Sequence, residues 1–141
     1  MRGYTLIELI AVLMLLAVGV SALAPTARRL ADLSAVNAAR EELVALLSEA
    51  RAVAMRAGAS TVTVAADPPL ARIEARGVSI RSFDFGSGRA VGLSLGSDRD
   101  SVSMRFDGLG LGRFSSQTIE VSRGEISALV VVSSYGRVRR Q

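Results

Sequence analysis

The sequence predicts an α+β fold in which one long N-terminal helix lies on a C-terminal antiparallel β-sheet domain. Three observations carry this. An apolar run fills residues 6–24 with Glu8 as its single charge. Apolar residues then recur at three- and four-residue intervals as far as Ala54, and after Gly58 the spacing drops to two, with glycine and proline clusters between the segments. A helix followed only by short strands gives two layers around one core.

The first run is long enough to cross a hydrocarbon core of about 30 Å at about 1.5 Å per helical residue. Glu8 is the exception in it. A carboxylate inside a spanning helix costs roughly 2.5 to 3.5 kcal/mol on insertion scales, so it needs a partner. Pro25 lacks an amide hydrogen and predicts a kink. Beyond it Leu30, Leu33, Val36, Leu43, Leu46, Leu47, Ala50, Val53 and Ala54 mark one buried face, while Arg28, Arg29, Asp32, Arg40, Glu41, Glu42, Glu49 and Arg51 fall mostly opposite. Gly58 is the expected stop. A helix over 4–57 measures roughly 80 Å, too long for an ordinary domain helix.

The β part follows in short pieces. Thr61-Val62-Thr63-Val64 and Ala71-Arg72-Ile73-Glu74-Ala75 alternate around an Asp67-Pro68-Pro69 turn. Residues 78–85 predict a strand with Val78 and Ile80 on one face. Val91, Leu93 and Leu95 share a face of the next, and Val102, Met104 and Phe106 share one after a polar loop at 96–101. Gly108-Leu109-Gly110-Leu111-Gly112 is a glycine-spaced turn, and Ile119 and Val121 mark another strand before Arg123-Gly124-Glu125. The nearly continuous apolar run at 126–133 predicts a central strand covered on both faces.

Composition excludes most chemistry. The 141 residues suit one domain plus an anchor, and the net charge of +4 comes from a chain whose basic residues are all arginine. Without lysine there is no Schiff-base amine and no phosphate-loop lysine. Without histidine or cysteine the commonest general base, the commonest metal ligands, thiol nucleophiles and disulfides are missing. Serines are plentiful, but no histidine exists to activate one. The glycine-spaced turn lacks the strand-to-helix context of a phosphate cradle, and Asp98-Arg99-Asp100 offers too few oxygens for calcium. No enzyme activity, cofactor or metal is expected.

The segment Gly3-Tyr4-Thr5-Leu6-Ile7-Glu8, with the apolar run behind it, resembles the processing site of type IV pilins and pseudopilins. The resemblance implies a pilin-like fold and four parts: a leader at 1–3, a transmembrane helix at 4–25, its amphipathic continuation at 26–58 and a β-rich periplasmic domain at 59–141. It implies cleavage between Gly3 and Tyr4 by a prepilin peptidase, N-methylation of Tyr4, and Glu8 meeting the terminal amine of a neighbouring subunit during assembly. Ser21-Ala22-Leu23-Ala24 imitates a signal-peptide cleavage site, but an acid so early in the apolar region argues against that. The positive-inside rule does not orient the anchor, since Arg2 precedes the run and Arg28 and Arg29 follow it.

Further along, the helix at 38–56, Phe106-Asp107-Gly108, Val130-Val131-Val132-Ser133 and Gly136-Arg137-Val138-Arg139 resemble the GspH/FimT group of minor subunits. This implies a minor pseudopilin of a type II secretion system, at or near the tip of a periplasmic pseudopilus. The implied setting is the bacterial inner membrane, crossed once. The implied partners are other major and minor pseudopilins, the prepilin peptidase, the inner-membrane assembly platform and secreted protein substrates. On an extended tail Arg137 and Arg139 point to one side, about 7 Å apart, with Arg140 adjacent, a spacing that suits successive phosphates. In FimT-like pilins a Gly-Arg-x-Arg ending implies DNA capture, so DNA uptake is the alternative function; a soluble terminal strand end or an intersubunit ion-pairing patch is the plainer reading of the same arginines.

Overall fold

The structure, a computed structural model, describes residues 5–88, 90–96 and 99–141, and of 21–24 the backbone alone. Gly3 and Tyr4, the expected processing site, and Asp98 lie outside the described residues. The elements are α1 (Leu6–Ala57), β1 (Ala59–Ala65), β2 (Leu70–Ala75), β3 (Val78–Asp84), β4 (Gly92–Leu95), β5 (Ser101–Asp107), β6 (Gln117–Arg123), β7 (Ile126–Val132) and β8 (Val138–Arg140). A long N-terminal helix packed against antiparallel sheets is the pilin-like α+β fold expected from the sequence.

The chain divides into two compact units, Met1–Ala31 and Asp32–Gln141. In the first, α1 is apolar and its described side chains are exposed, Leu6 and Ile7 both at 77%. This stretch is long and apolar enough to cross a membrane. The helix runs on through Pro25.

In the second unit α1 buries Val36, Ala39, Leu43, Leu46, Leu47, Ala50, Val53 and Ala54. The spacing of three and four gives these side chains one face. Each fully buried leucine contributes about 1.5 to 3 kcal/mol through removal from water. The expected stripe began earlier, at Leu30 and Leu33, but these are 62% and 45% exposed. Burial begins only at Val36, where sheet residues are available to cover the helix. At the other end Gly58, with φ +90°, donates its amide to the Ala54 carbonyl at 2.8 Å, a left-handed stop that glycine adopts without strain.

The strands form two four-stranded antiparallel sheets, ordered β3-β2-β1-β5 and β4-β6-β7-β8. Alternation places Val62, Val64, Ala71, Ile73, Val102, Met104 and Phe106 of the first sheet in the core with Leu93, Leu95, Ile119, Val121, Val130 and Val132 of the second. The helix face closes the same cluster. Ser60, 3% exposed, is its buried polar member, and its hydroxyl donates to the Ala50 carbonyl of α1 at 2.7 Å.

Two strands depart from expectation. β7 is internal to its sheet, but only one face is fully covered: Ala128, Val130 and Val132 are buried while Leu129 and Val131 are half-buried. The outer face of its sheet carries no further layer among the described residues of this unit. In β3 a bulge lies against Ile73 and Glu74, leaving Ile80 unopposed between Ser79 and Arg81. Val78 and Ile80 keep a common side, both lining one groove, but on this edge strand that side is 61% and 48% exposed.

Candidate functional site

At the start of α1 the Glu8 amide donates to the Thr5 carbonyl at 3.1 Å and to the Thr5 hydroxyl at 3.3 Å. Thr5 is therefore the N-cap, and Thr5-Leu6-Ile7-Glu8 has the spacing of a capping box, with an acid three residues after a threonine. The motif thus has a local meaning that the sequence reading missed, although the pattern was legible: Glu8 is held in the first turn, where the helix dipole favours negative charge. Its side chain is exposed. The carboxylate is accordingly presented outward from a capped, pre-formed turn.

The tail is built as a hairpin. Gly136, with φ +82°, donates its amide to Ser133 O at 2.8 Å; the Ser133 amide donates to Arg137 O at 2.9 Å, and the Ser133 hydroxyl accepts from the Arg137 amide at 3.1 Å. β8 then pairs Val132 with Val138, Val131 with Arg139 and Val130 with Arg140, and Leu129 and Gln141 exchange two bonds of 2.9 Å. Because Val130 and Val132 face the core and Val131 faces outward, Arg139 stands on the outer face and Arg140 on the inner one. Arg140 reaches α1, with Nη2 3.0 Å from Glu41 Oε2. Arg137 and Arg139 are exposed, and neither guanidinium meets a carboxylate among the described residues. The structure therefore divides the expected trio into an outward pair and one residue turned onto the helix.

The turn after β5 is held by Asp107. Its carboxylate accepts the Leu109 and Leu111 amides at 3.0 and 2.9 Å and Arg113 Nε at 3.0 Å. The Leu111 bond foremost, then Arg113 and Leu109, hold its pKa below the usual carboxylate range. The glycine-spaced segment is thus an anchored turn. Gly112 bridges to Phe106 and abuts the tail, where a Cβ on it would lie 2.7 Å from Gly136 N and Ser134 O. Among the described residues no group of three metal-ligating side chains converges.

A long N-terminal helix packed against antiparallel sheets defines a pilin-like fold. No family model and no curated protein matches the chain. Among solved structures it is similar to the type IV minor pilin FimU of Pseudomonas aeruginosa in two crystal forms. One match has a TM-score of 0.61 and 19% identity, covering 75% of this chain and 87% of that one. The other has a TM-score of 0.58 and 20% identity, covering 75% and 92%. At that identity the likeness establishes the fold.

Proposed function

We propose that the chain is a minor pilin-like subunit, most specifically the H-type minor pseudopilin of a type II secretion system. The observation that carries this reading is that a single helix, α1, bears both an exposed apolar stretch with a capped Glu8 and the buried face of a pilin-like domain. On this reading residues 1–3 are the leader, 4–25 span the inner membrane of a bacterium, 26–58 continue the helix, and 59–141 form the periplasmic domain. Prepilin peptidase cuts between Gly3 and Tyr4 and methylates Tyr4. Glu8 then meets the new amine of an adjoining subunit, so that both charges are neutralised in the apolar phase. The subunit joins other pseudopilins above an inner-membrane assembly platform, at or near the tip of the filament, and helps export secreted proteins. It is a substrate of chemistry and performs none.

Mass spectrometry of the membrane-derived protein tests the class. The expected N-terminus is a methylated Tyr4. Cleavage after Ala24 overturns the reading.

The outward pair Arg137 and Arg139 favours a second reading, a FimT-like minor pilin that binds DNA for uptake. Two exposed guanidinium groups, one just before β8 and one in it, meet no carboxylate among the described residues and suit contact with successive phosphates. Duplex DNA titrated against the nanodisc-held chain at several salt concentrations separates the readings. Under uptake, Arg137→Ala with Arg139→Ala removes about two counterion equivalents from the salt dependence, while Arg140→Ala changes little. No DNA binding at low salt leaves secretion ahead.

A further inference from the structure

Where α1 ends against the first sheet, the surface opens into a groove of about 510 Å³. Its walls are Val53 and Ala57 of α1, Ala75 of β2, and Val78 and Ile80 of β3; Arg56 and Arg76 stand at its rim. Ile80, unopposed in the bulge, stands here beside Val78 on the edge strand of its sheet. Isoleucine and valine left half-open beside a helix end are normally covered. The lining contains no acid, and neither arginine meets a carboxylate among the described residues.

Arg76 is placed with some strain. It forms the two-residue turn between β2 and β3 with Gly77 and takes φ +52°, a left-handed conformation that a bulky side chain rarely adopts. Its Nε donates to the Ala57 carbonyl at 3.2 Å, which ties the side chain over the end of α1. Its terminal amino groups stay available. On its other side lies a cleft of about 350 Å³ that shares Ala57, Ala75 and Arg76 with the groove and carries Arg105. Glu74 also borders that cleft, with its carboxylate 3.7 Å from Arg72.

We propose that this groove is a docking site for a peptide segment of a partner protein presenting a branched apolar side chain followed by carboxylates. The side chain enters between Val53 and Ile80, and the carboxylates meet Arg56 and Arg76. Charge complementarity decides the occupant: an apolar slot edged only by guanidinium groups rejects a basic segment and favours an acidic one, with which arginine forms paired, charge-assisted hydrogen bonds. The inference rests on the fold and these side chains and does not require the filament reading.

The test is a methyl-resolved NMR titration of the full chain in nanodiscs with the peptide Gly-Ser-Leu-Ile-Glu-Asp and with its twin ending in Lys-Lys. Saturable shifts at the Val53, Val78 and Ile80 methyls are expected with the acidic peptide, at least about tenfold weaker with the twin. Arg76→Gly relieves the left-handed strain and so keeps the fold, and it is expected to weaken binding about tenfold, as is Ile80→Thr. Equal binding of the two peptides, no binding of either, or unchanged binding by a folded Arg76→Gly chain overturns the proposal. So does octanoate alone if it reproduces the same shifts at the same concentration, which would make the groove a lipid site.

Discussion

Arg81 Nη1 lies 2.6 Å from Glu49 Oε2, and its Nη2 lies 2.5 Å from Glu42 Oε1, so one guanidinium spans two acids of α1. Glu42 and Glu49 are seven residues apart, about two turns, and share a helix face. The bulge at Ile80 brings Arg81 opposite Ile73, a core-facing residue, and so turns it toward the helix. Without the extra residue, strand alternation would aim Ile80 inward and Arg81 at solvent. The bond to Glu49 foremost, and the charges of both acids, hold the Arg81 pKa above its ordinary value.

Arg81→Met is expected to lower the denaturation midpoint by a few degrees, because it leaves two acids facing each other across the helix surface. Arg81→Lys recovers only part of this, since a point charge cannot span both. The groups are partly exposed, so the difference from wild type shrinks in about 1 M salt, where screening is strong. Thermal scans of the three chains at two salt concentrations check this, and a salt-independent loss would assign the effect to packing.

Two glycines join the end of β5 to the tail. A Cβ at Gly136 would lie 2.7 Å from Phe106 Cε1, and φ there is +82°. Phe106 is fully buried and edge-on to Phe114, so it has little room to give. Gly136→Ala is expected to cost about 1 to 3 kcal/mol from left-handed strain and the close contact. Gly112→Ala meets backbone at Gly136 N and Ser134 O as well as the Phe114 ring, all at 2.7 Å, and its cost falls at or above the upper end of that range. Gly77→Ala is the contrast: φ is +75° but nothing lies within 4 Å, so strain acts alone. Urea melts that rank Gly77→Ala as mild as wild type, or worse than Gly112→Ala, would contradict this account.

The limits of the sequence are clearest at these same residues. Alternation marked the strands that carry Val62, Ile73, Met104, Phe106 and Ile119, all buried in the structure, because burial on one face of a strand leaves a period of two whatever the strand pairs with. It did not divide the strands between two sheets, since β1 pairs with β5 although β2, β3 and β4 intervene in the chain, and no local pattern records the partner. The bulge at Ile80 was likewise hidden: Val78 and Ile80 keep the expected spacing, and only their register against β2 shows the shift. In the tail, alternation placed Arg137 and Arg139 together, while the Glu41 partner of Arg140 is 99 positions away in sequence.

Asp107 makes the anchored turn after β5 sensitive to acid. Its folded pKa is lowered, so its contribution to stability is fully present above the unfolded value of about 3.9 and is lost as pH falls through the lower folded value. Asp107→Asn cannot lose a charge in that window. The expected result is a smaller fall in denaturation midpoint between about pH 5 and pH 2 than in wild type, with a lower midpoint at neutral pH. Parallel acid slopes for the two chains would remove Asp107 from the explanation. Asp84, whose carboxylate accepts the Gly86 and Ser87 amides and is shifted in the same direction, adds to the part that remains.

Glu8 has two candidate roles that substitution separates. As the third residue of a capped helix it supports the first turn, a role glutamine also fills in a capping box. As the partner of an ammonium in apolar surroundings it must be charged, and glutamine cannot replace it. Glu8→Gln is therefore expected to keep slow amide exchange at Glu8 and Leu9 while failing to join filaments, and Glu8→Leu is expected to fail as well. Thr5→Val is the complement: it removes the hydroxyl that accepts the Glu8 amide, costs the helix start about 1 kcal/mol and leaves the charge in place. Hydrogen exchange in nanodiscs reads the first turn, and the amount of each variant in sheared filaments reads assembly. Filaments built normally from Glu8→Gln would show that the carboxylate serves its own helix and not a neighbouring subunit.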